Sequence, residues 1–416
     1  MHLSTAASIT PAPHEPRVRW AMLALLALGE SLGMTLWFSA TAAAPALVAQ
    51  FHLSTGGAAW LTMAVQGGFV AGTLVTAVVN LADLVAPRRL FALGCVLGAV
   101  ATAAVTQAGS APIAFLLRFA TGAALAWVYP TGMKIVASWF HRERGTGLGV
   151  LVASLTLGQA FPHLLAAVAP DSSWQLRMIV SSALAVAGGL IVLVGVHDGP
   201  HLEPLGRFDA RAAASLFTNR RTRLAAFGYF GHMWELYAMW SWAGVFGAAS
   251  LAASGSLRAS HTATAMPVAS IAAFLAIATG AAGCLLGGVM ADRIGRAKVA
   301  GLALVMSGSC AVASGLVFGH HPALLYTLLA CWGLVVIADS AQFSALIADY
   351  SPRSHVGTAL AVETCCGYLL TMVSIRLMPT VAAWVTWRWA FLALVPGPVM
   401  GVVAMRRLSA DSRRVD

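Results

Sequence analysis

Long apolar runs, broken at short intervals by basic and glycine-containing turns, fill the chain from Trp20 to its last stretch at Ala390. A bilayer core is about 30 Å thick and a helix rises about 1.5 Å per residue, so about 20 apolar residues cross it. Twelve such stretches can be placed, beginning near Trp20, Gly57, Leu90, Ala111, Gly145, Gln175, Leu224, Pro267, Val299, Pro322, Val356 and Ala390. The longest polar interruption lies between the sixth and seventh, with Pro200, Pro204, Arg220, Arg221 and Arg223. The pattern predicts an all-α membrane protein with a disordered cytoplasmic tail over 1–16 and a six-helix bundle over 17–197. A cytoplasmic linker follows over 198–222, then a second six-helix bundle over 223–408 and a tail over 409–416. Within the linker, Asp209 to Thr218 reads either as a short amphipathic helix on the membrane surface or as irregular chain.

Composition agrees with the pattern: 59% hydrophobic and 10% charged residues, with a mean hydropathy of +0.80, leave too little polar surface to cover a soluble core. The net charge of +10 points to nucleic acid only until its placement is examined. Most of the basic residues, from Arg17 and Arg19 through Arg88, Arg142, Arg207 and Arg293 to Arg406 and Arg414, fall in alternate loops, whereas the opposite loops hold Arg177, Arg258 and Arg388. This asymmetry predicts a multi-pass protein of the plasma (inner) membrane with both termini cytoplasmic, and removes the case for a nucleic-acid partner. All six cysteines fall inside predicted helices, against a disulfide framework. Met1 to Pro16 lacks a basic region followed by an apolar core, so no cleaved signal is expected.

One loop is more specific. Gly288, Asp292, Arg293, Gly295, Arg296 and Lys298 form a glycine-bracketed charged turn between two apolar runs, and a degenerate copy with Asp83, Pro87, Arg88 and Arg89 lies about 209 residues earlier. Other pairs keep nearly the same offset: Pro112 with Pro322, Gly145 with Gly357, and Trp174 with Trp387. The run from Gly288 resembles the cytoplasmic-loop motif of the major facilitator superfamily. That resemblance implies twelve helices in two pseudo-symmetric six-helix bundles, a substrate cavity between them near mid-membrane, and alternating access. It also implies that Asp292 meets the positive N-terminal end of the fifth helix near Arg144, and Asp83 that of the eleventh near Arg353. The better-preserved copy should form the more important gate.

Charges inside apolar runs cost at least about 2.5 to 3.5 kcal/mol each, so they need partners, water or a proton. Glu30 in the first stretch and Glu235 in the seventh lie about 11 and 12 residues beyond Arg19 and Arg223, near the midplane, and are expected to be repeat-related carboxyls for substrate or proton work. His232 lies three residues before Glu235 and can share its face, as a relay, a substrate contact or an internal pair. Arg118, followed by Thr121 and Gly122, resembles the family's fourth-helix arginine; it needs a carboxylate partner or an anionic ligand, or forms a fixed ion pair. Asp339 and Glu363 are candidates for an inner gate, or else reach toward water, as Lys134 and Arg376 are expected to do.

Trp37, Trp127, Tyr129, Tyr229, Tyr237 and Trp240 are candidate cavity aromatics, with interfacial placement as the alternative for about half of them. The fifth stretch keeps Gly149, Gly158 and Pro162 of the family's exporter pattern but has Phe161 before the proline, leaving direction open. The expectation is therefore a proton-coupled secondary transporter of a small molecule, a monomer without metal or cofactor. A transporter-like sensor is the alternative, and counterflow separates the two. An enzyme is disfavoured, since no nucleophile, base or metal-ligand set is evident.

Overall fold

A computed structural model describes residues 15–140, 143–202, 209–255, 262–352 and 355–412. The main helices are α1 (Glu15–Met34), α2 (Thr55–Val79), α3 (Pro87–Ala104), α4 (Ala111–Leu125), α5 (Tyr129–Trp139), α6 (Arg144–Val168), α7 (Trp174–Gly195), α8 (Arg220–Ala253), α9 (Thr262–Ala278), α10 (Gly280–Ile294), α11 (Arg296–Val317), α12 (Pro322–Val336), α13 (Ser340–Tyr350), α14 (Val356–Ala390) and α15 (Pro396–Ser412). Short helices at Ser39–Ala42, Ala44–Phe51, Leu81–Leu84 and Ala210–Thr218 join them. The last of these takes the helical alternative for the linker. Helix α8 begins at Arg220, where the Asn219 side chain caps the Arg221 and Thr222 amides. The last helix runs past residue 408 to Ser412.

Ten segments among the described residues are long and apolar enough to cross a membrane. Four of them are broken helices, α4 with α5, α9 with α10, α12 with α13, and α14 with α15. The breaks at 126–128 and 337–339 are about 211 residues apart, the same offset that relates the two halves of the sequence. Pro130 follows the first break, where its ring and missing N–H favour a new helix start. The tenth segment, Val356–Asp411, has 56 residues; unbroken it would be about 84 Å long. It is instead interrupted at Thr386 (φ 61°) and by a tight turn at Phe391–Leu394.

In the first half, α1 packs on α6 and α7, α2 on α4, and α3 on α7; in the second, α8 packs on α9, α14 and α15, and α11 on α12 and α15. The halves meet where α6 packs on α9 and α10, and α2 on α14. Gly122 lets two helices approach closely. A Cβ there would lie 1.8 Å from the Val65 carbonyl oxygen, so α2 and α4 touch backbone to backbone. Outward faces carry exposed apolar side chains such as Leu116, Val194 and Leu316, the surface that lipid requires.

Candidate functional site

The site begins where α1 stops. Met34 ends the helix, a turn covers 35–38, and Ser39 restarts it, leaving carbonyls without intrahelical partners. Thr35 Oγ1 donates to the Leu32 and Ser181 carbonyls at 2.7 and 3.0 Å. Arg118 on α4, fully buried, donates to the Leu36 carbonyl at 3.1 Å, the Trp37 carbonyl at 2.5 Å, Ser39 Oγ at 3.2 Å and the Leu61 carbonyl at 3.5 Å. Among the described residues, these carbonyl and hydroxyl oxygens stand where a carboxylate partner is expected. The guanidinium fork is satisfied by backbone dipoles that the broken helix exposes.

The turn presents Trp37 and Phe38 to the junction of the halves. Trp37 lies 5.4 Å from Phe69 of α2 and 5.6 Å from both Tyr237 of α8 and Tyr368 of α14, centroid to centroid. Phe38 lies 5.9 Å from His163 of α6 and 6.3 Å from Trp240. Tyr237 is the hub: its hydroxyl accepts from Gln159 Nε2 of α6 at 3.3 Å and shares a 2.9 Å hydrogen bond with the Tyr368 hydroxyl. Rings and amides from α1, α2, α6, α8 and α14 thus fill one buried volume spanning both halves.

Several polar groups in and around this volume have no hydrogen-bond partner among the described residues: both oxygens of Glu30 and of Glu363, both side-chain termini of Gln66, Gln159 Oε1 and His163 Nε2. Glu30 faces α5, where a Cβ on Gly132 would lie 3.1 Å from its Oε2. Tyr129 is within electrostatic range of Glu30, Tyr237 and Glu363, and Tyr229 of Glu363. Glu363, fully buried rather than reaching water, thus joins Glu30 as an unpaired carboxyl.

Glu235 does not. Its Oε1 accepts from Trp332 Nε1 at 2.7 Å and its Oε2 from Ser307 Oγ at 2.8 Å, inside the second half. His232 Nδ1 lies 2.8 Å from Asp339 Oδ1, so Asp339 rather than Glu235 is its partner. Both members of that pair are buried, which corrects a water-facing Asp339. The symmetric spacing of Glu30 and Glu235 concealed different surroundings. Among the aromatics, Trp127 Nε1 donates to Thr76 at 2.8 Å within the first half, and Tyr229 lies against His232 and Phe343.

At the charged loops, Asp292 Oδ1 lies 3.8 Å from a Cβ placed on Gly145, in the first turn of α6, and Gly288 approaches the Gly145 carbonyl at the same distance. Gly295 adopts φ +90°, open to glycine and strained for other residues, and joins α10 to α11. Arg296 pairs with Asp349, Arg293 is exposed, and Arg88 lies 2.9 Å from His197 Nδ1. Lys134 is not at water: it pairs with Asp83 and donates to the Ala82 carbonyl at 2.7 Å. Arg19 pairs with Glu143 at 2.5 Å. The Arg144 side chain and Arg353 lie outside the described residues.

The Major Facilitator Superfamily family model matches residues 26–281 and 236–415. Over 179 residues, 42% of this chain and 41% of the relative, the chain is 30% identical to the hexuronate transporter of Escherichia coli K12. It is 29% identical to the galacturonate transporter of Dickeya chrysanthemi over 42% of this chain and 50% of that protein. To a probable sulfoacetate transporter of Cupriavidus necator it is 26% identical, over 51% of each chain. The match thus spans about half or less of these curated relatives. With the family model covering nearly the whole sequence, two repeat-related broken helices and a charged loop set against the start of α6, the chain belongs to the Major Facilitator Superfamily.

Proposed function

We propose that this protein is a secondary transporter that carries small organic acids across the plasma membrane by alternating access, coupled to protons. The carrying observation is Glu30: fully buried, with neither carboxyl oxygen bonded to a donor among the described residues, and within electrostatic range of Tyr129, which is also within range of Tyr237 in the ring cluster that joins the two halves. An ionised carboxylate without donors is costly there, so Glu30 suits holding a proton while the site is closed and exchanging it when the site opens. The relatives' names support the substrate class, since hexuronate, galacturonate and sulfoacetate are all carboxylic acids. One proton moving with one singly charged acid makes the cycle electroneutral.

The ten apolar segments extend to twelve crossings in two six-helix bundles if α1 is added and the 56-residue run counts as two. In that layout the contacts of Asp292, Lys134 and Arg19 lie at the cytoplasmic end. A cleft of about 560 Å³, lined by Met63, Met372, Val373, Arg376, Leu377 and Thr380, lies toward the opposite end between α2 and α14. Labelled galacturonate uptake into proteoliposomes tests the proposal. Accumulation is expected with an imposed proton gradient and should collapse with an ionophore; uptake indifferent to the gradient would remove proton coupling.

The two charged loops should differ in effect. Asp292 sits against the opposite half, whereas Asp83 pairs with Lys134 of its own half. Loss of about 1 kcal/mol of gate energy changes a state ratio about fivefold. Asp292→Asn is therefore expected to lower the initial uptake rate about fivefold and Asp83→Asn less than about twofold. Equal or reversed effects at matched protein density would show that the two loops do not share the gate in this way.

A further inference from the structure

We infer that His163 and Gln159, one turn apart on α6, form the site that takes the polar head of a hydroxy acid substrate, His163 Nε2 donating to the carboxylate and Gln159 Oε1 accepting from a neighbouring hydroxyl. The inference rests on the organic-acid reading above and assigns to it a pair of residues that the sequence reading left out. An organic acid brings a negative charge into the junction of the halves. Arg118 is occupied by the Leu36, Trp37 and Leu61 carbonyls and by Ser39. His232 is held by Asp339 in the second half. The Nε2 atoms of both histidines have no partner among the described residues, but His232 lies against Tyr229 and Phe343 within the second half, whereas His163, 5% exposed, lies against Phe38 in the ring cluster.

Residues four apart on a helix lie on the same face, and Gln159 is four before His163. Its amide nitrogen is engaged by the Tyr237 hydroxyl, which fixes the orientation of the group and leaves Oε1 as a free acceptor. The pair therefore offers one donor and one acceptor, the complement of a carboxylate beside a hydroxyl. Trp37, Phe38 and Tyr237 supply apolar faces for the C–H side of a sugar ring. Because the amide nitrogen of Gln159 holds Tyr237, and Tyr237 holds Tyr368 on α14, a ligand at this pair would bear directly on a contact that joins the halves.

The test is galacturonate binding to purified protein, followed through the fluorescence of Trp37 and Trp240 beside the site, with His163→Leu and His163→Gln compared with wild type. Hydrogen bonds to charged groups are worth about 1.5–3 kcal/mol, which is about tenfold or more in affinity. His163→Leu should therefore weaken binding about tenfold or more, whereas His163→Gln, which keeps an N–H donor, should stay within about threefold of wild type. Both should unfold at the wild-type temperature. Unchanged affinity in His163→Leu removes the role of His163 and leaves the transporter reading standing. A parallel loss of affinity and unfolding temperature in both variants assigns His163 to packing and overturns the inference. Wild-type protein that binds no galacturonate overturns the substrate class and this site together.

Discussion

Glu30→Gln is expected to abolish accumulation driven by a proton gradient while leaving exchange of substrate across the membrane within a few-fold of wild type. A gradient of two pH units stores about 2.7 kcal/mol per proton, enough for about hundredfold accumulation of a co-transported acid. If Glu30 carries that proton, glutamine, which is nearly isosteric and cannot release one, fixes the site in a permanently neutral form. The accumulation ratio should fall to about one, and counterflow, which needs no net proton movement, should persist. Glu235→Gln is the internal control. Its carboxyl accepts from Trp332 and Ser307, both of its own half. That replacement should leave the accumulation ratio unchanged and act on stability, because an amide cannot accept at both positions. Accumulation that survives Glu30→Gln, or that is lost equally in Glu235→Gln, would transfer the coupling elsewhere, Glu363 being the other buried carboxyl with both oxygens unpaired among the described residues.

The contrast between these two glutamates shows where sequence reading reached its limit. Spacing from Arg19 and Arg223 predicts the same depth for both, and the family motif at Gly288 to Lys298 implies a contact of Asp292 with the start of α6, where its Oδ1 lies 3.8 Å from a Cβ placed on Gly145. What spacing could not supply was the third partner: Trp332 and Ser307 come from helices about 70 to 100 residues away, and only packing of α8 against α11 and α12 brings them to Glu235. Asp339 was placed at a gate for the same reason, since its pairing with His232 depends on the break between α12 and α13. Gln159 and His163 carry no formal charge and lie just after the glycines Gly149 and Gly158 that dominate the pattern of that stretch. Two polar side chains at a four-residue interval in a run such as Leu155 to Leu165 were a readable signal. The restart of α1 after Met34 was not readable, as no proline marks it; the carbonyls of the turn are held by an arginine more than 80 residues away.

That arginine carries the second large expectation. Arg118→Lys should lower the folded fraction and unfolding temperature of the protein before it affects substrate affinity. The guanidinium reaches the Leu36, Trp37 and Leu61 carbonyls and Ser39 at once from a fixed plane. An ammonium is a point donor on a shorter reach and cannot span α1 and α2 together. Each buried carbonyl left without a donor costs about 1–3 kcal/mol, so losing two of the three gives about 2–6 kcal/mol, a large share of the stability of most folded chains. Heated samples of Arg118→Lys, followed by size-exclusion chromatography, should lose the monodisperse peak several degrees below wild type, and Arg118→Met should behave at least as badly. The surviving fraction should bind galacturonate nearly as wild type does, because the substrate head is assigned to α6. Were Arg118 a direct anion ligand, Arg118→Lys would instead keep the charge, fold normally and change affinity alone. Unfolding temperature and dissociation constant, measured on the same preparations, therefore separate a clamp on the broken first helix from a substrate contact.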